Sequence, residues 1–512
     1  MSIYGFGILS GYVYSGVDSA QGVRTKLLRE NGIDIIYFYV ARPVLVMPNR
    51  ERIKNYQRLG IDLNQMSTPW HVLTGRDRIA FNDSPEAVIS DIKRATAVTG
   101  EKHENDRIIL YNGNYIVGII YLFDGAVYSV SYYNLDGTGT NSEYLTEYYS
   151  DGLLYSEYKK GSVIYRTFFD INGSVAFSEI VKKDDITYQF IDGETVNVVG
   201  LWEKVIKKLS LSEEDICVLD RPGYIEYQEA LFKNRNGARI FAVLHSEHFY
   251  KLHENIGSVY LNYEYYYWFN NSADIERFIV GTEEQRDNLY DFLKRYNRAI
   301  PRIEVIPPGV LKSEPDLSLA LDAKNPYSLV TVSRLEYGKQ VDMLVRSVAK
   351  AHDEIPEIDF CIYGDGFPEE IDRMNELITL LNAGDYIHLM GHQDVSKVYE
   401  MSEIYLTASL NESFGLTLLE AAAGGCALVG LNVRYGNKLF IKPGQNGFLV
   451  DFDCEKDWND KTKAESKIAE RIVTLLKNKE LLRQYQKKSL QVACDYVDDN
   501  AFGRWCEILA CR

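Results

Sequence analysis

Six short apolar runs follow one another between residues 327 and 450, each separated from the next by an amphipathic stretch. They are SLVTVS (328–333), IDFCIYG (358–364), YIHLMG (386–391), IYLTAS (404–409), CALVG (426–430) and GFLV (447–450). Runs this apolar suit strands covered on both faces, and helix-length connections between them predict a parallel α/β sheet. The same rhythm opens the chain. Residues 1–8 read as a buried strand. SAQGVRTKLLREN (19–31) reads as a helix with Ala20, Val23 and Leu27 on one face, stopped by Asn31-Gly32, and DIIYFYV (34–40) as the next strand. This strand–loop–helix–strand unit predicts a Rossmann-like domain. ICVLD (216–220), RIFAVLH (239–245), RFIVG (277–281) and IEVIPPGV (303–310) continue it, and Thr282 with Gln285 predicts a capping box at a helix start.

Between about 65 and 199 the pattern changes. Many of the chain's 38 tyrosines fall here. Short runs of Tyr, Ile and Val alternate with Asp124-Gly125, Asp136-Gly137, Asp151-Gly152, Asn172-Gly173 and Asp192-Gly193. Asp-Gly and Asn-Gly between alternating apolar residues are strong hairpin signals, so the segment predicts an antiparallel β-meander inserted into the first α/β domain. The expected organisation is residues 1–64 with 200–310 as an N-terminal Rossmann-like domain, and 65–199 as the inserted meander. Residues 311–485 are expected to form a second Rossmann-like domain. Residues 486–512, helical by pattern, are expected to pack back on the first domain.

The formal net charge is −17. A chain this acidic repels phosphate backbones, which argues against nucleic acid as a partner. The seven cysteines are odd in number and form no CxxC pair, so neither a disulfide framework nor a zinc site is expected. MSIYGFGILSGYVYSG lacks the basic and cleavable features of a signal peptide, and no run of about 18 apolar residues predicts a membrane span. A cytoplasmic location is expected, with a peripheral contact at the membrane face left open.

Four places carry candidate chemistry. In YSLVTVSRLEYGKQ (327–340), Arg334 and Lys339 lie five residues apart between a strand and a helix, a pattern suited to a diphosphate: Arg forks onto oxygens and Lys supplies a point charge. In NESFGLTLLEAAAGG (411–425), Glu412 and Glu420 are eight residues apart at a helix start, with Gly415 between them. Eight helical residues span roughly 12 Å, a separation that lets one carboxylate meet a sugar and the other a ribose. His245 stands at the end of a strand, where open α/β sheets present functional groups. Gly16 sits where main chain without a side chain could meet a phosphate. Each has a plainer reading as a charged loop, a helix start or a structural histidine. The two motifs together, about 80 residues apart in one α/β series, favour the functional one. Asp451-Phe452-Asp453 has the spacing of a divalent-ion triplet but lies in an acidic loop, and the solvated-loop reading is preferred.

The ESFGLTLLE and VSRLEYGK segments, with His245, resemble the retaining GT-B glycosyltransferases of family 4, in the glycogen-synthase-like superfamily. The meander resembles the add-on domain of bacterial enzymes that glycosylate serine-rich repeat adhesins beside an accessory secretion system; wall teichoic acid α-glycosyltransferases carry a similar insert. The resemblance implies a GT-B fold and a UDP-sugar donor, with N-acetylglucosamine or glucose passed to Ser or Thr of the adhesin. It implies that Arg334 and Lys339 bind the diphosphate, Glu420 the ribose and Glu412 the sugar near its reacting end. His245 would contact the sugar, Gly16 would approach the phosphates through its backbone, and the main chain at His392 would meet the base. Ser413, Phe414, Gly415 and Leu416 complete the donor-binding motif. No metal or other cofactor is expected, because two cations already face the leaving group. Assembly is expected as a homo-oligomer, or with a homologous partner through the meander. Transfer to a teichoic acid polymer and a non-catalytic partner subunit are the alternatives; the intact Glu412 and Glu420 speak against the second.

Overall fold

The computed structural model describes the chain apart from residues 9–15, 41–49, 77, 82, 96, 134–145, 150–153, 160–161, 183–184, 251–259, 312, 316–320, 322–323, 396, 454–455 and 511–512. Gly11, the Asp136-Gly137 and Asp151-Gly152 turns and His253 therefore lie outside the described residues. The chain packs as two units: Met1–Ala242 with Asp274–Glu276, and Val243–Ala273 with Arg277–Arg512.

In the first unit, parallel strands lie side by side in the order Arg239–Val243, Ile216–Leu219, Ile3–Ile8, Ile36–Tyr39, Met66–Ser67. Ile3–Ile8 lies between Ile216–Leu219 and Ile36–Tyr39 and is largely buried. Phe6 is fully buried, stacked on Phe38 at 5.3 Å and on Tyr227 at 5.4 Å. The helix Gly16–Glu30 departs from the sequence expectation. Ala20 and Leu27 are buried, but so are Asp18, Gln21, Arg24 and Thr25, while Val23 is only partly covered. Ion pairs make this polar face tolerable in the interior. Arg24 pairs with Asp220, and Asp18 accepts both Arg52 at 3.0 Å and Arg221 at 2.9 Å.

Ten strands from Gly100–His103 to Thr195–Val196 form one antiparallel sheet in strict sequence order, which is the predicted meander. Asp124 and Gly125 both take positive φ, at 49° and 85°, as a tight primed hairpin turn requires. On one face Phe168, Phe177 and Phe190 are direct cross-strand partners whose rings stack at 4.5 and 5.1 Å, with Trp70 against Phe168. The next row on that face is polar: Ser156, Arg166, Glu179 and Tyr188 face one another across four strands, and all four are buried. The helix Val198–Leu209 packs over this end of the sheet. The helix Pro85–Ala95 covers the other end through Val88, Ile89 and Ile92.

The second unit contains the parallel pair Arg277–Val280 and Arg302–Val305, and a six-stranded parallel sheet. The six strands are the six apolar runs, in the order Ile387–Gly391, Asp359–Tyr363, Ser328–Val332, Ile404–Thr407, Ala427–Leu431, Gly447–Val450. The chain moves outward in one direction for three strands, then crosses back beside Ser328–Val332 and continues the other way. The switch in direction falls between Ser328–Val332 and Ile404–Thr407, the place where open α/β sheets bind ligands. Helices Thr462–Lys477, Lys479–Cys494 and Asp498–Ala510 end the chain.

Thr282 caps the helix Glu283–Arg295 by accepting from the Gln285 N–H at 3.1 Å. The reciprocal half of the predicted box does not form. Gln285 Oε1 accepts from the Gly281 N–H at 3.1 Å, and its Nε2 donates to Ser246 O at 3.0 Å.

The buried polar row in the meander yields a stability prediction. Arg166→Met leaves Glu179 in the interior without its cation, and burial already raises that carboxyl. Chemical denaturation should show a loss of about 3–5 kcal/mol for the single variant and a smaller loss for Arg166→Met with Glu179→Leu.

Candidate active site

The switch point gathers two loops. After the strand Ser328–Val332 the chain makes a 3₁₀ turn, Tyr337–Lys339, and enters the helix Val341–His352. After Ile404–Thr407 it runs through Asn411–Gly415 into the helix Leu416–Ala423. The loops are joined by main chain, since the Leu410 N–H donates to Gly338 O at 2.9 Å. They are also joined by charge, since Lys339 Nζ donates to Glu412 Oε2 at 2.8 Å with both side chains half-buried.

Gly415 takes φ +89°, and a Cβ there would lie 2.9 Å from Leu418 Cδ1 and 3.3 Å from Glu412 Cγ. Only glycine makes this left-handed entry while keeping Glu412 close to the helix start. The helix therefore begins at Leu416. The spacing of Glu412 from Glu420 is not eight residues of helix, and the roughly 12 Å inferred from that geometry does not apply. Glu420 sits on the helix itself. Tyr399 Oη donates to its Oε2 at 2.9 Å. The side chain still reaches solvent, yet its surroundings displace enough water to raise the carboxyl above its ordinary value, partly offset by the Tyr399 hydroxyl. Burial likewise pushes the Tyr399 phenol well up, so it stays a proton donor.

The other predicted residues are distributed as follows. Arg334 is exposed and pairs with Glu336 at 3.0 Å. His392 is exposed just beyond the strand Ile387–Gly391, on the same sheet edge. Ser413 Oγ donates to the main-chain O of His245 at 2.6 Å, which ties the His245 loop to the glutamate loop. His245 itself lies two residues beyond the strand Arg239–Val243 and is half-buried. Phe414 is a core residue, 3% exposed and edge-on to Phe440 at 5.2 Å, so its side chain is not free to meet a ligand. Leu416 opens the helix. Gly16 is the first residue of the helix Gly16–Glu30 in the other unit, with open space where a Cβ would stand. The structure thus brings Lys339, Glu412, Ser413 and the His245 main chain together; Arg334 and His392 follow strands of the same sheet, and Glu420 lies in the helix Leu416–Ala423 that follows the Glu412 loop.

The acidic triplet is otherwise engaged. Asp451 accepts from Asn432 Nδ2 at 2.8 Å and Asp453 pairs with Lys456 at 2.9 Å. Among the described residues no group of three or more His, Cys, Asp or Glu could hold a metal ion.

Several residues that bear on this site carried no signal in the sequence. Tyr399 is one. Glu247, Arg434 and Glu284 are others: Glu247 meets Asn411 and Arg434, and Glu284 accepts from the Tyr435 N–H at 2.9 Å. Glu247 stands two residues beyond His245, and a carboxylate directly after so apolar a strand is the one cue that could have marked it. His248, its neighbour, is structural. It is fully buried with its ring edge-on to Phe249, Phe269 and Phe292, and burial together with Arg434 pushes its pKa down to about 3.

The family model described as Glycosyl transferases group 1 matches residues 320–492. The UDP-N-acetylglucosamine–peptide N-acetylglucosaminyltransferase GtfA subunit of Streptococcus pneumoniae serotype 4 is 30% identical over 465 residues, which cover 88% of each chain. Among solved structures, the pneumococcal O-GlcNAc transferase GtfA in complex with UDP and GlcNAc matches with a TM-score of 0.85 at 26% identity, over 99% of this chain and 98% of that one. A chain of a GtfA/B complex matches at 0.79 and 26%, over 99% of both chains.

The neutral His248 makes stability depend on pH. Its unfolded value is about 6.5 and its folded value about 3. Below pH 6.5 the unfolded chain takes up a proton that the native chain refuses. Stability present above pH 6.5 is therefore lost as pH falls toward 3, by at most about 1.4 kcal/mol per pH unit. Denaturation from pH 7 to 4 should show a shallower loss for His248→Phe than for the wild type. His71, also held at about 3 by burial, remains in the variant and keeps part of the slope.

Proposed function

This chain belongs to the family of UDP-N-acetylglucosamine–peptide N-acetylglucosaminyltransferase GtfA subunits, and on that premise we propose that it moves N-acetylglucosamine from its UDP donor to serine or threonine of a serine-rich repeat adhesin. The observation that carries the reading is the Lys339–Glu412 pair at the switch point, with Arg334 on the loop that bears Lys339 and Glu420 on the helix that follows the Glu412 loop.

The chemistry follows from charge. Departure of UDP develops negative charge on the diphosphate, and cations already in place stabilise it without reorganisation. Arg334, exposed on its loop, and Lys339 supply them. When Lys339 turns to the phosphate, the Glu412 carboxylate is released toward the donor sugar. Tyr399 occupies one oxygen of Glu420 and leaves the other to accept from ribose hydroxyls. The main chain at His392 meets the base, that at Gly16 approaches the phosphates, and His245 contacts the sugar. Ser413, Phe414, Gly415 and Leu416 act through their backbone. The scheme needs no metal, since Arg334 and Lys339 perform that role.

The domain division 1–64 with 200–310, 65–199, 311–485 and 486–512 belongs to this reading, with the acceptor on the first part and the donor on the third. The meander would pair with a homologous subunit; likeness to a chain of the GtfA/B complex supports a hetero-oligomer over a homo-oligomer. No described helix is long and apolar enough to cross a membrane. The reading places the work in the cytoplasm, with contact at the membrane face left to a local patch.

Purified protein supplied with UDP-N-acetylglucosamine or UDP-glucose, EDTA, and either a serine-rich repeat peptide or a teichoic acid polymer tests this. N-acetylglucosamine should appear on the peptide despite EDTA, and Glu412→Ala should reduce the rate by at least about 10²-fold. Transfer to the polymer alone would establish the teichoic acid alternative, and product formation unchanged by Glu412→Ala would assign these residues a binding role.

A further inference from the structure

Glu247 is a carboxylate 8% exposed overall, placed two residues beyond His245. Burying a charge is costly unless it is paired and hydrogen-bonded. Its partners explain why it is there. Glu247 Oε2 accepts from Asn411 Nδ2 at 2.7 Å, and Oε1 lies 2.7 Å from Arg434 Nη2. Asn411 is the residue directly before Glu412. Arg434 is directly before Tyr435, whose main chain bridges to that of Glu412, and the Gly436 N–H donates to Glu412 O at 2.7 Å. One buried carboxylate therefore holds both chain segments that fix the backbone of Glu412.

The second of those segments needs holding. Tyr435 has φ +67° and ψ −108°, a conformation that costs of order 1–3 kcal/mol for a residue with a side chain. It persists only where neighbours over-determine it. Glu284 accepts from its N–H at 2.9 Å, and the Arg434 guanidinium lies 4.4 Å from the centre of the Phe249 ring while paired to Glu247. The next residue must be glycine, because a Cβ on Gly436 would stand 2.3 Å from Phe414 O. On the other flank Ser413 is tied to the His245 main chain. The loop of residues 245–249 thus grips Glu412 from three sides without touching its carboxylate.

We infer that Glu247 is a positioning residue for the transfer step: through Asn411 and Arg434 it sets the Glu412 carboxylate against the reacting end of the donor sugar. The inference rests on the role proposed for Glu412. Donor binding through Arg334, Lys339 and Glu420 does not run through Glu247, so kcat carries the effect and KM for the donor does not. A displacement of about 1 Å at a reacting group costs about 10²-fold in rate.

Steady-state kinetics of full-length protein, with the donor and acceptor the wild type turns over, test it. Glu247→Ala should lower kcat by about 10²-fold with donor KM within about threefold of wild type. UDP affinity by calorimetry should be unchanged. Glu247→Gln, which still accepts from Asn411 but loses the charge facing Arg434, should fall between the two. If Glu247→Ala does not fold, Glu247→Gln and Arg434→Lys decide, each expected to lower kcat and leave KM in place. An active wild type whose variants keep kcat, or lose only donor KM, overturns the assignment. A wild type with no turnover on any donor and acceptor instead overturns the reading on which it stands, and the assignment falls with it.

Discussion

An ammonium and a carboxylate, Lys339 and Glu412, face each other at 2.8 Å where the six-stranded sheet reverses its strand order. Neither loop could hold that geometry alone. Each leaves the carboxyl end of a different strand, and the two strands are neighbours only because the chain crosses back after Ile387–Gly391. The pair also poises the site electrically. Half-buried, it holds the Lys339 ammonium and the Glu412 carboxylate against each other until an anion competes for the ammonium. Arg334, exposed and paired with Glu336, adds a cation that is easily redirected.

Around this pair the molecule accepts local cost. Gly415 and Tyr435 both depart from right-handed backbone, and both do so to place Glu412. Glu420 tolerates a raised pKa beside Tyr399. Such features collect where chemistry needs a fixed geometry. The buried charges elsewhere, Arg166 with Glu179 in the meander and Asp18 with Arg52 and Arg221 beneath the first sheet, are paired inside their own units.

Local signals were legible. The six apolar runs became the six strands; Ser328–Val332, Ile404–Thr407 and Ala427–Leu431 at the middle are buried almost throughout, whereas Asp359–Tyr363, Ile387–Gly391 and Gly447–Val450 are only partly covered. Asp124-Gly125 became a hairpin turn, with positive φ at both successive residues. The motif residues Lys339 and Glu412 met because each follows a strand. What failed to show were properties set by distant partners. The helix Gly16–Glu30 buries charge because Asp220, Arg52 and Arg221 come to it from far along the chain, and no periodicity within the helix reports that. Gln285 turned from Thr282 to Gly281 and Ser246 for the same reason. The glutamate spacing was misjudged as helical because a glycine that opens a helix and one inside it look alike in sequence. Glu247, Arg434 and Tyr399 act through contacts with residues 21 to 187 positions away.

The proposed transfer requires this switch point to hold a nucleotide diphosphate. Calorimetric titration of UDP into the wild type and into the Arg334→Ala, Lys339→Ala double variant tests it most directly. Wild-type binding weakened at least about tenfold in the double variant, about 1.4 kcal/mol, is the predicted result. Equal affinity in the two proteins, with both folded, would contradict the account.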